Sequence, residues 1–206
     1  MLKKLLGKMF SSNSNKVRKV DGVFIIAHLN DKIMPMYRGT NYEDPLDEFL
    51  QENNYGEVTG GGTGQAVTGE IEFCDIEIIV YEGNDIEKVV SLITSKLESL
   101  GAPKGSHITV GSSQEKISFG MNEGIAVYLD GVNLPENVYK ECDINVVLSE
   151  LSNLIGYNGE VQRYWQGNIE TALYFYGLSF EKMKGDIEEF IRTYPLCQGA
   201  RITQIA

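Results

Sequence analysis

The sequence has few cysteines and histidines and no long apolar run. Its 206 residues include three cysteines, Cys74, Cys142 and Cys197, and two histidines. The cysteines are odd in number and widely spaced, so the sequence predicts neither a disulfide framework nor a C-x-x-C metal site. No stretch reaches the roughly 18 apolar residues of a membrane-spanning helix, and lysines interrupt the opening segment too early for a secretory signal. We therefore expect a cytoplasmic protein without a metal or other cofactor.

Positive charge is scarce beyond the first 19 residues. The net charge is −11, and residues 1–19 hold six of the 18 basic groups and no acid. The remainder has 12 basic and 29 acidic groups, a balance of −17. Such a body repels the phosphate backbones of nucleic acids, whereas it attracts basic proteins and cations. The charge therefore disfavours a nucleic-acid partner and favours a basic protein partner, although solubility alone also explains it.

Residues 1–20 are predicted to form a basic amphipathic arm and a flexible linker. Lysines alternate with apolar residues that follow the spacing of one helix face: Leu2, Leu5, Leu6, Met9 and Phe10. An arm of this kind suits weak contact with an anionic membrane surface or with the acidic body of the protein itself. A segment of this length is marginal as an isolated helix, so disorder is the alternative.

The rest of the chain contains a similar unit twice. "DIEKVVSLITSKLESLGAPKGSHIT" from Asp85 aligns without a gap to "SFEKMKGDIEEFIRTYPLCQGARIT" from Ser179. Asp85 and Ser179 are both residues that cap helix N-termini. Weaker similarities occur in the same order upstream of both segments. The repeat predicts two domains, residues 21–112 and 113–206.

Each half is predicted to open with a β-hairpin, which pairs residues 23–29 with 33–37 and residues 116–121 with 125–129. The predicted helices are 45–52, 86–100, 144–154 and 180–194. The strands predicted in addition to the two hairpins are 56–59, 70–81, 107–110, 160–165, 171–176 and 201–205. Without its leading strand, each half has the order β-α-β-β-α-β and resembles the ferredoxin-like folds. The predicted class is α+β, with two tandem ferredoxin-like halves, each with an extra leading strand, whose antiparallel sheets are covered by helices. This resemblance implies no particular chemistry.

The stretch "YGEVTGGGTGQ", residues 55–65, raises the question of a phosphate site. A phosphate loop needs a helix N-terminus behind its glycines. Here a strand follows, and no Gly-Lys-Ser/Thr or third spaced glycine completes the motif. We interpret the stretch as an enlarged, flexible connection between two strands. The alternative is a backbone nest for an anion near Lys104, formed by Gly60, Gly61, Gly62 and Gly64.

Two carboxylates and both histidines are weak candidates for chemistry. Asp75 and Glu77 could act as acid and base, but a solvated sheet face also accounts for them. His28 and His107 have no partner at metal-ligand spacing. We predict no catalytic residue and lean towards a protein that is not an enzyme.

Aromatic residues concentrate in two neighbouring strands of the second half. Together with an arginine they form a candidate partner-binding patch: Arg163, Tyr164, Trp165, Tyr174 and Tyr176. The alternative is that these rings pack against helices or join the two halves. We predict a non-enzymatic cytoplasmic protein that binds a protein partner, with inhibition of a basic toxin as one form of this role. The alternative function is a sensor that binds a metabolite or anion in the cleft between the halves.

Overall fold

The structure is a computed structural model that describes residues 21–113, 115–156 and 163–206. The predicted basic arm and residues 160–162 of a predicted strand lie outside these ranges. The described chain is α+β, with two antiparallel sheets and helices between their strands. This confirms the predicted class.

The first sheet has five strands in the order β2-β3-β1-β4-β5. The strands are β1 (Gly22–Leu29), β2 (Gly56–Gln65), β3 (Ile71–Tyr81), β4 (Ser106–Val110) and β5 (Ile117–Phe119). Helices α1 (Pro35–Arg38) and α2 (Asp44–Glu52), joined by a π-helical turn at Gly39–Glu43, connect β1 to β2, and α3 (Ile86–Ser99) connects β3 to β4.

The second sheet has four strands in the order β7-β8-β6-β9. The strands are β6 (Glu123–Asp130), β7 (Tyr164–Gln166), β8 (Glu170–Gly177) and β9 (Arg201–Gln204). Helices α4 (Glu136–Glu141) and α5 (Ile144–Ile155) lie between β6 and β7 in sequence, and α6 (Phe180–Thr193) with a 3₁₀ turn at Pro195–Cys197 lies between β8 and β9.

Each sheet has a hydrophobic core on the face that its helices cover. In the first half, alternate residues of the central strands, such as Ile25 and Ile76, pack with Leu46 and Ile93 of the helices. In the second half, Val127 and Leu173 are among the strand residues of the corresponding core. The period-2 alternation of strand side chains places these residues on one face. The opposite faces of both sheets are therefore available for other contacts.

The helix boundaries predicted from capping residues agree closely with the structure. The side chain of Asp85 accepts a hydrogen bond from the Lys88 N–H at the start of α3. The side chain of Ser179 accepts one from the Lys182 N–H at the start of α6. These bonds satisfy amide groups that the first helical turn leaves without a partner.

The two predicted leading hairpins are wrong. Pro35 begins α1, so residues 33–37 form no strand beside β1. In the second half, β5 pairs with β4 rather than with β6, and thus extends the first sheet beyond the predicted boundary at residue 112. Each half consequently begins its own set of strands with β1 or β6, without an extra leading strand of its own. No helix in the described ranges is long and apolar enough to cross a membrane.

Candidate ligand-binding site

A cavity of about 410 Å³ lies at one end of the second half, between α4, the start of α5 and the edge strand β7. We call it the second-half pocket. Its volume falls within the range of small-molecule sites, about 300–1,000 Å³. Most of its lining is apolar or aromatic: Leu129, Tyr139, Ile144, Leu148, Tyr164, Leu173 and Leu196.

The start of α5 positions one wall of the second-half pocket. The Asp143 side chain accepts a hydrogen bond from the Asn145 N–H and caps the helix. Ile144 and Leu148 are one helical turn apart and line the pocket. Val147, by contrast, is buried in the core of the second half. The same short helix therefore serves both the core and the pocket.

The pairing registers show which residues of the first half occupy the equivalent positions. Counting along the paired strands matches Ala27 with Val127, Ile76 with Leu173, Gly61 with Tyr164, and Thr63 with Gln166. The edge-strand wall of the second-half pocket thus corresponds to the middle of β2. The two positions differ in the side chains that lie over the edge strand.

In the first half, α1 and the π-helical turn cover this position of the edge strand. Arg38 Nη1 donates to Thr63 Oγ1 at 2.8 Å, and Arg38 Nε donates to Glu43. A Cβ atom at Gly61 would lie 3.2 Å from Arg38 Nε. Tyr42, from the same turn, is fully buried. Side chains therefore fill in the first half the space that is open in the second.

The polar groups of the second-half pocket divide into two kinds. Asp130 Oδ1 accepts hydrogen bonds from the Val132 and Asn133 N–H groups, each at 2.8 Å, and these bonds lower the pKa of the Asp130 carboxyl. Asp130 is thus engaged by its own loop and stays negatively charged. Within the described chain, the side chains of Gln166 and Thr171 form no hydrogen bond, so both can pair with a ligand. The site suits a neutral, largely apolar molecule with one or two polar groups.

The predicted aromatic patch lies largely at the junction between the two halves. Arg163 Nε and Nη2 donate to Asp31 Oδ1 and Oδ2, both at 2.7 Å. Tyr42 donates its hydroxyl to Asp31 Oδ2 at 2.6 Å, and the Arg163 guanidinium lies 5.3 Å from the centre of the Tyr176 ring. Asp31 is fully buried. Burial acts to lower the pKa of Arg163, but the Asp31 carboxylate outweighs it and the pKa is raised.

A second polar cluster at the junction centres on Glu70. Its Oε1 accepts hydrogen bonds from the hydroxyls of Tyr174, at 2.7 Å, and Tyr128, at 3.0 Å, and from Lys32 Nζ at 3.0 Å. Burial alone would raise the pKa of Glu70, but these three donors lower it. Burial and the bond to Glu70 raise the pKa of Tyr128 to about 12, so its hydroxyl remains a donor. The ionised Glu70 carboxylate therefore links the first half to the second sheet through these hydrogen bonds.

These contacts match the alternative in which the aromatic residues join the two halves. Tyr174 is only 2% exposed, and the Tyr176 hydroxyl accepts from the Lys32 N–H at 3.1 Å. Trp165 Nε1 donates to the Thr68 carbonyl at 3.3 Å. Tyr164 is 43% exposed and lines the second-half pocket instead. The halves are in direct contact at these residues, so the predicted ligand cleft is not formed there, and binding of a protein partner stays a prediction.

The predicted glycine loop is a strand. Gly60, Gly61, Gly62 and Gly64 all belong to β2 and pair with β3. The turn to β3 comes later, between Gln65 and Ile71, and a strand follows it as expected. Lys104 precedes β4, which β3 and β1 separate from β2 by about 14 Å of sheet width, and it pairs with Glu123 at 2.7 Å. The structure does not bring Lys104 to the glycines.

The remaining candidates lie on the face of the first sheet away from the helices, which we call the open face. Its residues are Phe24, Ile26, His28, Phe73, Asp75, Glu77, Ile79, His107 and Thr109. His28 Nδ1 is 2.8 Å from Asp75 Oδ1, and the His28 ring lies between those of Phe73 and His107, with centroids 4.3 and 4.5 Å away. Asp75 pairs with His28 here, whereas Glu77 is exposed. Sequence reasoning found each residue but not the stacked cluster, because cross-strand register is needed to align them.

The surroundings of His107 predict a dependence of stability on pH. Burial, His28 and Lys116 lower the pKa of His107, against the opposing effect of Asp75. The unfolded chain therefore binds a proton at higher pH than the folded chain does. The stability that the folded chain gains from neutral His107 is fully present above the ordinary histidine pKa of about 6.5 and is lost as the pH falls below it.

We expect the variant His107→Gln to lose less stability than the natural chain between pH 7 and pH 5. Urea unfolding at several pH values measures the difference. Lys116→Gln, which removes a neighbouring charge but no histidine, should retain most of the pH dependence. If the free energy of unfolding falls equally with pH in the natural chain and in His107→Gln, the prediction is contradicted.

The described residues contain no group of three histidine, cysteine or acidic side chains placed to hold a metal ion. Cys74 and Cys197 are buried, and Cys142 is half-buried. Burial raises the pKa of the Cys197 thiol to about 11 and that of Cys74 further. These two thiols are therefore unreactive at neutral pH.

Sequence reasoning missed the second-half pocket, although it named Tyr164 and the start of α5. The pocket depends on what fills the space between elements, and no local motif encodes that. One signal was present: the segment before the first predicted helix, "PMYRGTNYE", differs in sequence from "LPENVYKECD" before α5. That difference points to an unequal filling of the two halves.

Comparisons with known proteins identify no family. No family model matches the chain, and no curated protein matches it. Among solved structures, an unknown protein from Galdieria sulphuraria is 10% identical over 89% of this chain and 96% of its own, with a TM-score of 0.28. A "putative monooxygenase" from Lactobacillus acidophilus NCFM is 9% identical over 90% of this chain and 95% of its own, also with a TM-score of 0.28. Likeness at this level carries no argument about activity.

Proposed function

We propose that the protein is a non-enzymatic binding protein that takes a small, neutral and largely apolar molecule into the second-half pocket. The observation that carries this is the cavity of about 410 Å³ beside the edge strand β7. In the first half, the Arg38–Glu43 pair lies over the equivalent strand position. The space over β7 stays open to a ligand, which supports a binding role for it.

The ligand class follows from the lining. Leu148, Leu173 and Leu196 offer apolar contact, which favours binding by burial of apolar surface. Asp130 remains charged at the wall and disfavours an anionic ligand. Gln166 and Thr171 lie at the same wall and supply a donor and acceptors that orient a polar group.

We also propose that the two halves are tandem ferredoxin-like modules, residues 21–112 and 113–206, the first of which has recruited β5 to its sheet edge. The support is that both sheets share one strand order, with the first strand of each half between its third and fourth. A cytoplasmic location is part of this proposal. Three free cysteines are compatible with a reducing compartment.

A matched pair of substitutions on α5 tests the ligand site. Ile144 is 39% exposed and lines the pocket, whereas Val146 is 42% exposed and does not. Ile144→Trp should obstruct the pocket and weaken binding of the neutral apolar dye Nile red by about tenfold or more, which corresponds to about 1.4 kcal/mol. Val146→Trp should leave the affinity within about twofold. Fluorescence titration of the dye measures both.

A thermal-shift screen with neutral apolar fragments complements the titration, because a ligand of the folded state raises the melting temperature. Fragments that stabilise the natural chain should fail to stabilise Ile144→Trp. Equal responses of the two tryptophan variants would place binding elsewhere. Absence of any binding by dye or fragments would reject the proposed function.

A further inference from the structure

The open face of the first sheet differs from the equivalent face of the second. In the second sheet, that face carries Tyr128, Tyr174 and Tyr176, and each forms a hydrogen bond with the first half. The hydroxyls of Tyr128 and Tyr174 donate to Glu70, and the hydroxyl of Tyr176 accepts from the Lys32 N–H. In the first sheet, Phe24 is 40% exposed, and Ile26 and Ile79 are only half-buried. Within the described ranges, the open face thus keeps an apolar centre partly exposed to solvent.

The open face combines this apolar centre with negative charge. Phe24 pairs with Ile79, and Ile26 pairs with Glu77. Glu77 is exposed, and Asp75 is half-buried one pair further along β3. A partner of this face therefore needs an apolar stripe bordered by basic groups.

We propose that the open face is the docking site of the chain's own basic segment, residues 1–19. That segment lies outside the described residues, and its sequence has both required features. Lys3, Lys4 and Lys8 occur among five apolar residues at the spacing of a single helix face. Residues 1–19 hold six basic groups and no acid. The proposal is independent of the ligand proposed for the second-half pocket.

The attachment point favours this occupant. The segment joins the chain just before β1, and β1 is the central strand of the first sheet. Residues 11–20 can span at most about 33–36 Å when extended, while the eight residues of β1 run for about 26 Å. The apolar residues before position 11 can therefore reach any part of the open face. Attachment in the same chain also gives a high effective concentration.

Charge disfavours a second copy of the chain on this face. A symmetric dimer would bring Glu77 and Asp75 of each copy towards the same groups of the other, and like charges in contact oppose association. The body outside residues 1–19 has a balance of −17. The basic segment instead neutralises part of this charge.

Crosslinking of the full chain with a zero-length carbodiimide reagent tests the contact directly. We expect lysines of residues 1–19 to crosslink to Glu77 or Asp75 more often than to Glu72, and 0.5 M salt should suppress these products, because it screens charges beyond about 4 Å. Glu72 is also exposed and on β3, but it is an odd number of residues from Glu77 and so lies on the opposite face. Mixing of isotope-labelled and unlabelled chains distinguishes products within a chain from products between chains.

Two full-chain variants of equal net charge provide an independent readout. Glu77→Lys should release the basic segment and increase its binding to phosphatidylserine vesicles by up to about fivefold relative to Glu72→Lys. Loss of a surface ion pair changes an equilibrium constant by at most about that factor. Equal vesicle binding by the two variants would overturn the proposal. Crosslinks to Glu72 as frequent as those to Glu77, or crosslinks between chains only, would do the same.

Discussion

Replacing Arg163 by methionine is expected to lower the free energy of unfolding by about 3–5 kcal/mol, the usual effect of removing one partner from a buried ion pair. The Asp31 carboxylate is fully buried and accepts two hydrogen bonds from Arg163. In the variant it would keep, among the described residues, the hydrogen bond from the Tyr42 hydroxyl at 2.6 Å. A buried carboxylate without its cation is strongly destabilising.

Urea unfolding followed by the fluorescence of Trp165, the single tryptophan of the chain, measures this effect close to the junction. Arg192→Met is the matched control, because Arg192 pairs with Glu189 on the surface and is 68% exposed. The control should lose less than about 1 kcal/mol. The double variant Asp31→Leu with Arg163→Met should be more stable than Arg163→Met alone, since it removes both charges. A loss below about 1 kcal/mol for Arg163→Met would show that the ion pair does not stabilise the folded chain.

The elements that sequence predicted best are those whose signals are local. Asp85 and Ser179 marked helix starts, since a capping side chain acts within three residues of itself. Apolar runs, which are also local signals, predict β1 and β8. The segment 33–37 was misread as a strand because Ile33 and Met34 continue the apolar pattern. Pro35, which starts a helix without losing an amide hydrogen bond, was the overlooked signal.

The predicted strand pairing is wrong where a strand has two possible neighbours. Residues 117–119 alternate like the first strand of a hairpin, but they pair with β4. The following turn is fixed by the first half, where the Met121 N–H donates to the Ala102 carbonyl at 3.0 Å. Gly120 there has a φ of +105°, and a Cβ at this position would overlap the Pro103 carbonyl. Long-range contacts of this kind decide pairing and leave no local pattern in the sequence.

The site was harder to predict than the fold because it depends on unfilled space. Aromatic density in β7 and β8 predicts a binding patch, but it does not predict that Arg163 meets Asp31 across 132 positions of sequence. Asp31 gave no signal of its own, since a lone acid after a strand usually lies in solvent. The second-half pocket likewise depends on long-range packing, because its lining residues come from separate helices and strands.

Replacing Gly61 by alanine is expected to destabilise the protein by about 1–3 kcal/mol, the usual range for overpacking. A Cβ atom at this position would lie 2.6 Å from the Asp75 carbonyl oxygen and 2.5 Å from Glu43 Oε1. The strand would have to shift, or the Arg38–Glu43 pair above it would have to move. Gly61 is thus required by the segment that fills the first half.

The neighbouring Gly62 provides the control, because a Cβ atom there would meet no heavy atom within 4 Å. Glycine within a strand is less favourable than alanine by about 0.5–1 kcal/mol, so Gly62→Ala should stabilise by about that amount. Urea unfolding of the two variants measures effects of opposite sign from adjacent positions. If the glycines instead formed a nest for an anion, Gly62→Ala would have no reason to stabilise, and inorganic phosphate would protect the natural chain against unfolding. Opposite signs, without an effect of phosphate, would establish that these glycines serve strand packing.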